Sequence, residues 1–153
     1  MRWLPVFWLL MAIQISCLTP YSNAETWQEL LHKADSLLEV QNLDSAILVS
    51  CLALERAEKE YGTEDTNVAR VLNQLGLCYY YTGDYTRAET LYKRSLTVRE
   101  NVLGPKHPDV AQSLNNLAAL YSAQGKYEQT EPLYQRALKI LEQILGPKHP
   151  DVA

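Results

Sequence analysis

Residues 104–146 read GPKHPDVAQSLNNLAALYSAQGKYEQTEPLYQRALKILEQILG. Moved back by 42 residues, this run falls on the segment from Gly62 to Gly104. Of the 42 positions from Gly62 to Leu103, 16 are identical one period on, among them Val68/Val110, Leu72/Leu114, Asn73/Asn115, Leu75/Leu117, Tyr79/Tyr121, Gly83/Gly125 and Tyr92/Tyr134. Self-similarity at a fixed period of this size marks a stacked-repeat architecture. Within the quoted run, Val110, Leu114, Leu117, Ala118 and Tyr121 recur at helical spacing. Gln124-Gly125-Lys126 interrupts them, with a glycine free to take positive φ. A second helical period follows from Tyr127 to Leu145, so one unit is predicted as helix, tight turn, helix.

These residues resemble tetratricopeptide repeats of the kinesin-light-chain-like type. That pattern places a large apolar residue, a leucine, a small residue and a tyrosine in the first helix. Here they are Leu72, Leu75, Gly76 and Tyr79, then Leu114, Leu117, Ala118 and Tyr121. It places a glycine and an aromatic at the turn, matched by Gly83 and Tyr85 and by Gly125 and Tyr127. In the second helix, Ala88, Tyr92 and Ser95 and then Thr130, Tyr134 and Ala137 take the small–aromatic–small positions, with Thr130 departing from the usual alanine. The 42-residue period, the runs LNNLAALY and GKYEQTEPLYQRAL and the linker LGPKHPDVA resemble the longer kinesin-light-chain version. The likeness covers about 120 of the 153 residues.

The resemblance implies an all-α fold: a right-handed superhelix of about three helix-turn-helix units, the last repeat truncated. The expected divisions are a leader at 1–24, a degenerate unit at 25–61, full units at 62–103 and 104–145, and the start of a further unit at 146–153. In the degenerate unit the small residues Ala34, Ala46 and Ala53 persist, while Leu37 and Ser50 replace aromatics. Terminal repeats are often atypical, since one side meets water. Helices are expected over Thr26–Glu39 and Leu43–Tyr61. In the linkers, Asp65, Thr66 and Asn67 are all competent caps, and Pro108 suits a first turn.

In the resembling family the first helices line a concave groove, and the asparagines of LNNLA line the part that holds a cargo peptide. Asn115 and Asn116 match that motif directly, Asn73 and Gln74 partly. The polar stripe beside the buried one holds Arg70, Asn73, Gln74, Tyr80 and Tyr81 in one unit and Gln112, Asn115 and Asn116 in the next. The degenerate unit adds Gln28, His32 and Asp35. Amides offer a donor and an acceptor together, which suits them to a peptide backbone whatever its side chains. The plainer reading of the stripe is a solvated polar face. Most of the ten tyrosines, Tyr79, Tyr85, Tyr92, Tyr121, Tyr127 and Tyr134, fall at packing positions.

The first 24 residues differ from the rest. Arg2 precedes an uncharged apolar run from Trp3 to Leu18, and Ser22-Asn23-Ala24 puts small residues before Glu25. This is the pattern of a cleaved secretory signal peptide. An uncleaved anchor is the second reading, although sixteen residues give about 24 Å of helix against a hydrocarbon core of ~30 Å. A lipoprotein attached at Cys17 is the third. With the style of the repeat, the leader points to an exported bacterial protein, periplasmic or secreted, and off the membrane after cleavage.

The composition is 47% hydrophobic and 21% charged, with formal net charge −4. No basic cluster is present to neutralise phosphates, which argues against a nucleic-acid partner. His107 and His149 sit a full repeat apart, too far to share a metal, and read as supports for helix starts. Gly104-Pro105-Lys106 lacks the context of a phosphate loop. Nothing in the repeat pattern assembles a catalytic constellation, and no cofactor is implied. Cys51 and Cys78 are expected on neighbouring helices, as buried thiols or as a disulfide that export would permit.

The expected function is a non-catalytic interaction module for a peptide or protein segment. The alternative is the N-terminal scaffold of a longer exported repeat protein with an effector or enzyme domain elsewhere. The helix from Tyr127 to Leu145 bears on both. It carries two apolar stripes, Leu133, Ala137, Ile140 and Ile144, then Tyr134, Leu138, Leu141 and Leu145. A helix apolar on two sides needs partners on two sides. The expectation is self-association through it, or stability only in a longer array.

Overall fold

The computed structural model describes residues 25–146. The expected leader and the first turn of a further unit, residues 147–153, lie outside the described residues. The described chain forms six helices and no strand: α1 (Trp27–Glu39), α2 (Leu43–Tyr61), α3 (Thr66–Thr82), α4 (Tyr85–Leu103), α5 (Pro108–Ala123) and α6 (Tyr127–Leu145). They pair in sequence order, α1 with α2, α3 with α4 and α5 with α6. Each pair packs on the next through α2–α3 and α4–α5 contacts. The result is the all-α superhelical repeat that the resemblance implies.

Local chemistry fixes the helix ends. Thr26 caps α1 rather than joining it: its Oγ1 accepts from the Glu29 amide at 3.3 Å, and Glu29 Oε2 accepts from the Thr26 amide at 2.7 Å. This reciprocal box satisfies two donors that a helix start leaves open. Among the three candidates in the first linker, Asp65 is the cap, its Oδ1 accepting from the Asn67 amide at 2.7 Å. In the second linker His107 does this work, with Nδ1 accepting from the Asp109 amide at 3.1 Å. Helix α5 therefore begins at Pro108, whose fixed φ suits a first turn. The turns inside the second and third units close on Gly83 (φ +78°) and Gly125 (φ +71°), left-handed conformations that carry a steric cost for side chains.

The core runs along the stack rather than around one centre. Trp27, Leu30, Leu31 and Ala34 of α1 pack with Val49 and Ala53 of α2 and with Val68, Val71 and Leu72 of α3. Further along, Ala88 and Tyr92 of α4 meet Leu117, Leu120 and Tyr121 of α5. Ser50, where the later units have tyrosine, is buried, and its hydroxyl lies 3.6 Å from Cys78 Sγ. Both thiols are free; Cys78 is buried, but Cys51 is exposed, so it does not serve as a small core residue. Burial, first of all, pushes the Cys78 thiol above its ordinary range.

Two tyrosines depart from their expected packing role. Tyr92 of α4 is only 2% exposed, while Tyr134 at the same position of α6 is 43% exposed and Tyr127 is 69% exposed. The cause is position in the stack. Helix α5 covers the far side of α4, and nothing among the described residues covers the far side of α6.

On another side of the stack the second helices are stitched by a repeated ion pair. Arg94 Nη2 of α4 lies 2.6 Å from Glu58 Oε1 of α2, and Arg136 of α6 pairs in the same way with Glu100 of α4. The two pairs stand one 42-residue period apart. Glu142 is the next acid in that series and has no ion pair among the described residues.

Candidate functional site

The first helices α1, α3 and α5 share one side, and between them lies a polar cleft of about 440 Å³. Helix α3 supplies half of its wall, Asn67, Arg70, Asn73 and Gln74 among them; α1 adds Asp35, α4 adds Arg99 and α5 adds Gln112. These α3 residues fall at steps of three and four, which places them on one face. Five of the eleven stripe residues singled out from sequence meet here: Asp35, Arg70, Asn73, Gln74 and Gln112.

Arg99 is the wall residue that the repeat pattern did not expose. It is 4% exposed, and its Nη1 donates to the Asp109 carbonyl at 2.8 Å, to Ser113 Oγ at 2.9 Å and to Gln112 Oε1 at 3.1 Å. One side chain of α4 thus pins the first turns of α5. Burial lowers its pKa, and the nearby Asp109 carboxylate offsets part of that effect. A signal existed in the sequence: the same position holds Ala57 one unit earlier and Leu141 one unit later, so a charge there breaks the repeat. Across the cleft, burial raises the pKa of Asp35 against the opposing pull of His32 and Arg70.

The cleft walls include donors that lack acceptors. Nε of Arg99 and Nε2 of Gln74 are both shielded from solvent and have no hydrogen-bond partner. Leaving a buried donor unsatisfied costs about 1–3 kcal/mol. Arg70 is exposed and has no ion pair within 4.0 Å among the described residues. This is a site rich in donors, suited to the carbonyl or carboxylate oxygens of a bound segment.

The asparagines divide between two tasks. Asn116 Nδ2 donates to Asn73 Oδ1 at 2.8 Å, tying α5 to α3 across the unit boundary. Asn115 and Asn116 also open onto a second, wider hollow of about 970 Å³, shared with Ala119 of α5 and with Tyr134, Leu138 and Leu141 of α6. The expected single groove is thus two hollows joined by an amide bridge. Tyr80 and Tyr81 line neither. Tyr80 packs on the core between α4 and α5, 5.9 Å from the Tyr85 ring, and Tyr81 stands exposed, edge-on to Tyr80 at 5.6 Å. Tyr80 projects toward the next unit, the direction in which neighbouring repeats pack, which removes it from the cleft. Gln28, His32 and Asp35 border a separate small hollow beside Arg70. Among the described residues no cluster of metal-ligating side chains occurs, and no helix is long and apolar enough to cross a membrane.

Paired helices stacked at a fixed 42-residue step, with a cleft between the first helices, define a helical-repeat protein. The tetratricopeptide repeat model matches residues 28–101, 68–143 and 109–153, and the chain belongs to that family. Its relatives of known structure include kinesin-light-chain-like repeats. It is similar to BtubC (BKLC) from P. vanneervenii, at 30% identity over 92% of this chain and 56% of that one, with a TM-score of 0.73. The fold is shared with a putative kinesin light chain of nearly identical TPR-like repeats from Podosopora anserina, at 18% identity, 82% and 59% coverage and a TM-score of 0.74. It is also shared with the TPR domain of Arabidopsis FLU, at 19% identity, 76% and 95% coverage and a TM-score of 0.67. The chain spans little more than half of the first two of these structures. No curated protein sequence matches it.

Proposed function

We propose that this chain is a non-catalytic interaction module that binds an extended peptide or protein segment along the cleft between α1, α3 and α5. Tetratricopeptide repeats generally mediate protein–protein contact. The observation that carries the finer reading is the pair of orphaned donors, Gln74 Nε2 and Arg99 Nε, on walls that also hold Arg70, Asn73 and Gln112. Amides and guanidinium groups so placed read backbone carbonyls with little regard to side chains. The proposed setting is outside the bacterial cytoplasm, after loss of the leader, and rests on the sequence of residues 1–24 and the style of the repeat.

A displayed library of random extended peptides tests the reading. Selected peptides should bind the wild-type chain, and Gln74→Ala and Gln112→Ala should each weaken them by about 0.5–1.5 kcal/mol with helicity unchanged. Peptides that bind both variants as tightly as the wild type would move the site elsewhere.

A second reading has its own support. The uncovered side of α6, together with coverage of only 56% of BtubC, favours a scaffold section of a longer exported repeat protein whose effector or enzyme domain lies elsewhere. Sequencing the locus past codon 153 tests it: a continuing frame with further LNNLA-like units supports the scaffold, and a stop codon removes it.

A further inference from the structure

Arg99, buried in the cleft wall, makes all of its hydrogen bonds through one nitrogen. Nη1 donates to the Asp109 carbonyl, Gln112 Oε1 and Ser113 Oγ, while Nε and Nη2 donate to nothing among the described residues. Nε and Nη2 carry the parallel N–H groups of one edge of the guanidinium, a fork that matches the two oxygens of a carboxylate. Of the two, only Nε is shut off from solvent, so Nη2 is the atom that a solute in the cleft meets first. Gln74 Nε2, shielded and idle as well, lines the same cleft.

The charges around that edge are ordered. Burial first of all lowers the pKa of Arg99; Asp109 opposes that effect, and Arg70 adds to it as a like charge. At Asp35 burial leads the rise, with His32 and then Arg70 pulling the other way. Arg70 therefore acts on both Arg99 and Asp35 and stands between them. Two guanidiniums within electrostatic reach of each other share the middle of the cleft, flanked by Asp35 on α1 and Asp109 on α5.

We propose that the open edge of Arg99, with Arg70 beside it, is a subsite for a single carboxylate, that of an acidic side chain on a bound segment or of a small free acid. The inference rests on the cleft as the binding site and narrows what it takes. The amides serve backbone groups of any sequence; this edge selects one charged group among them. A planar ion of one charge suits the place. Two arginines and two aspartates leave the cleft without net charge, so a carboxylate is tolerated, whereas a doubly charged phosphate group meets both acids. The bonds through Nη1 hold the guanidinium in position before a ligand arrives, which lowers the cost of binding.

The Nε–H resonance of Arg99, observed by nuclear magnetic resonance in the full chain, reports on that edge directly. Sodium acetate should shift it saturably, and sodium phosphate or chloride at equal ionic strength should not. Arg70→Gln, an exposed change, should raise the acetate dissociation constant by about threefold or more. Absence of a saturable shift with acetate, an equal response to phosphate, or an unchanged constant in Arg70→Gln overturns the proposal. Two short peptides of alanine and glutamine, acetylated and amidated, separate the sources: one carries a central glutamate, the other glutamine there. Binding of the glutamate peptide about tenfold tighter, with the resonance moved, assigns the carboxylate to a segment. A response to acetate while neither peptide binds assigns it to a free acid and removes the peptide reading. Equal binding of both peptides with the resonance unmoved overturns the proposal and leaves the peptide reading standing.

Discussion

The ring of Tyr92 lies against the bare backbone of Gly76: a Cβ on that glycine would sit 2.7 Å from Cε1 and 2.8 Å from Cδ1. The contact joins the two helices of the middle unit where they cross. The ring cannot swing away, because it is buried between α3 and α5. The third unit has Ala118 opposite Tyr134, and there the tyrosine is 43% exposed.

Alanine in a helix interior ordinarily gains about 0.5–1 kcal/mol over glycine. At position 76 overpacking of about 1–3 kcal/mol opposes that gain and reverses its sign. Gly76→Ala should lower stability by about 1–2 kcal/mol on urea denaturation. Adding Tyr92→Leu to it should cost less than the two single losses together. Additive losses would show that the ring and the glycine are independent.

The amide bridge between α5 and α3 predicts a second coupling. Asn73→Ala leaves the Asn116 amide without its acceptor, and Asn116→Ala leaves Asn73 Oδ1 without its donor. Each change should cost about 0.5–1.5 kcal/mol, and the double change little more than either one. A peptide-binding defect in these variants therefore needs a stability measurement beside it before the amides are assigned to ligand contact.

Glu89 sets a pH dependence. Its carboxylate accepts from Lys93 Nζ at 2.6 Å and from the Tyr121 hydroxyl at 2.9 Å, and Lys126 Nζ lies at 3.9 Å. The Lys93 hydrogen bond first, then that of Tyr121, hold its pKa below the ordinary 4.5, against the effect of burial. A depressed acid contributes stability above its unfolded pKa and loses it as pH falls through the folded one. The loss is expected below about pH 4.5. Glu89→Gln should lower stability at pH 7 by about 0.5–1 kcal/mol and flatten the acid limb of a stability–pH curve. An unchanged acid limb would remove Glu89 as its source.

Arg99 predicts a loss confined to one junction. Arg99→Leu installs the residue found one unit later and removes the guanidinium, so the bonds to Asp109, Gln112 and Ser113 vanish. The expected cost is about 1–3 kcal/mol. Hydrogen exchange should rise first in the opening turns of α5. Protection there equal to wild type would show that α5 holds its start without the arginine.

The sequence alone determined the repeat, and with it the six helices, their pairing and most of their ends. A 42-residue period carries apolar residues at helical spacing, and glycine, proline and capping side chains act within a few residues of where they stand. It also placed Arg70, Asn73 and Gln74 on one face of α3, because helical periodicity is local, while Gln112 on α5 joins them only through the stack. What the tertiary structure alone decided is which neighbours those faces meet. Asn73 and Asn116 bond to each other, Tyr80 turns into the core, and Arg99 enters the cleft from a second helix. Tyr92 is buried where its repeat Tyr134 is open. Identical letters at two repeat positions acquire different environments because burial depends on the next unit in the stack, and that contact is written in no single stretch of the chain.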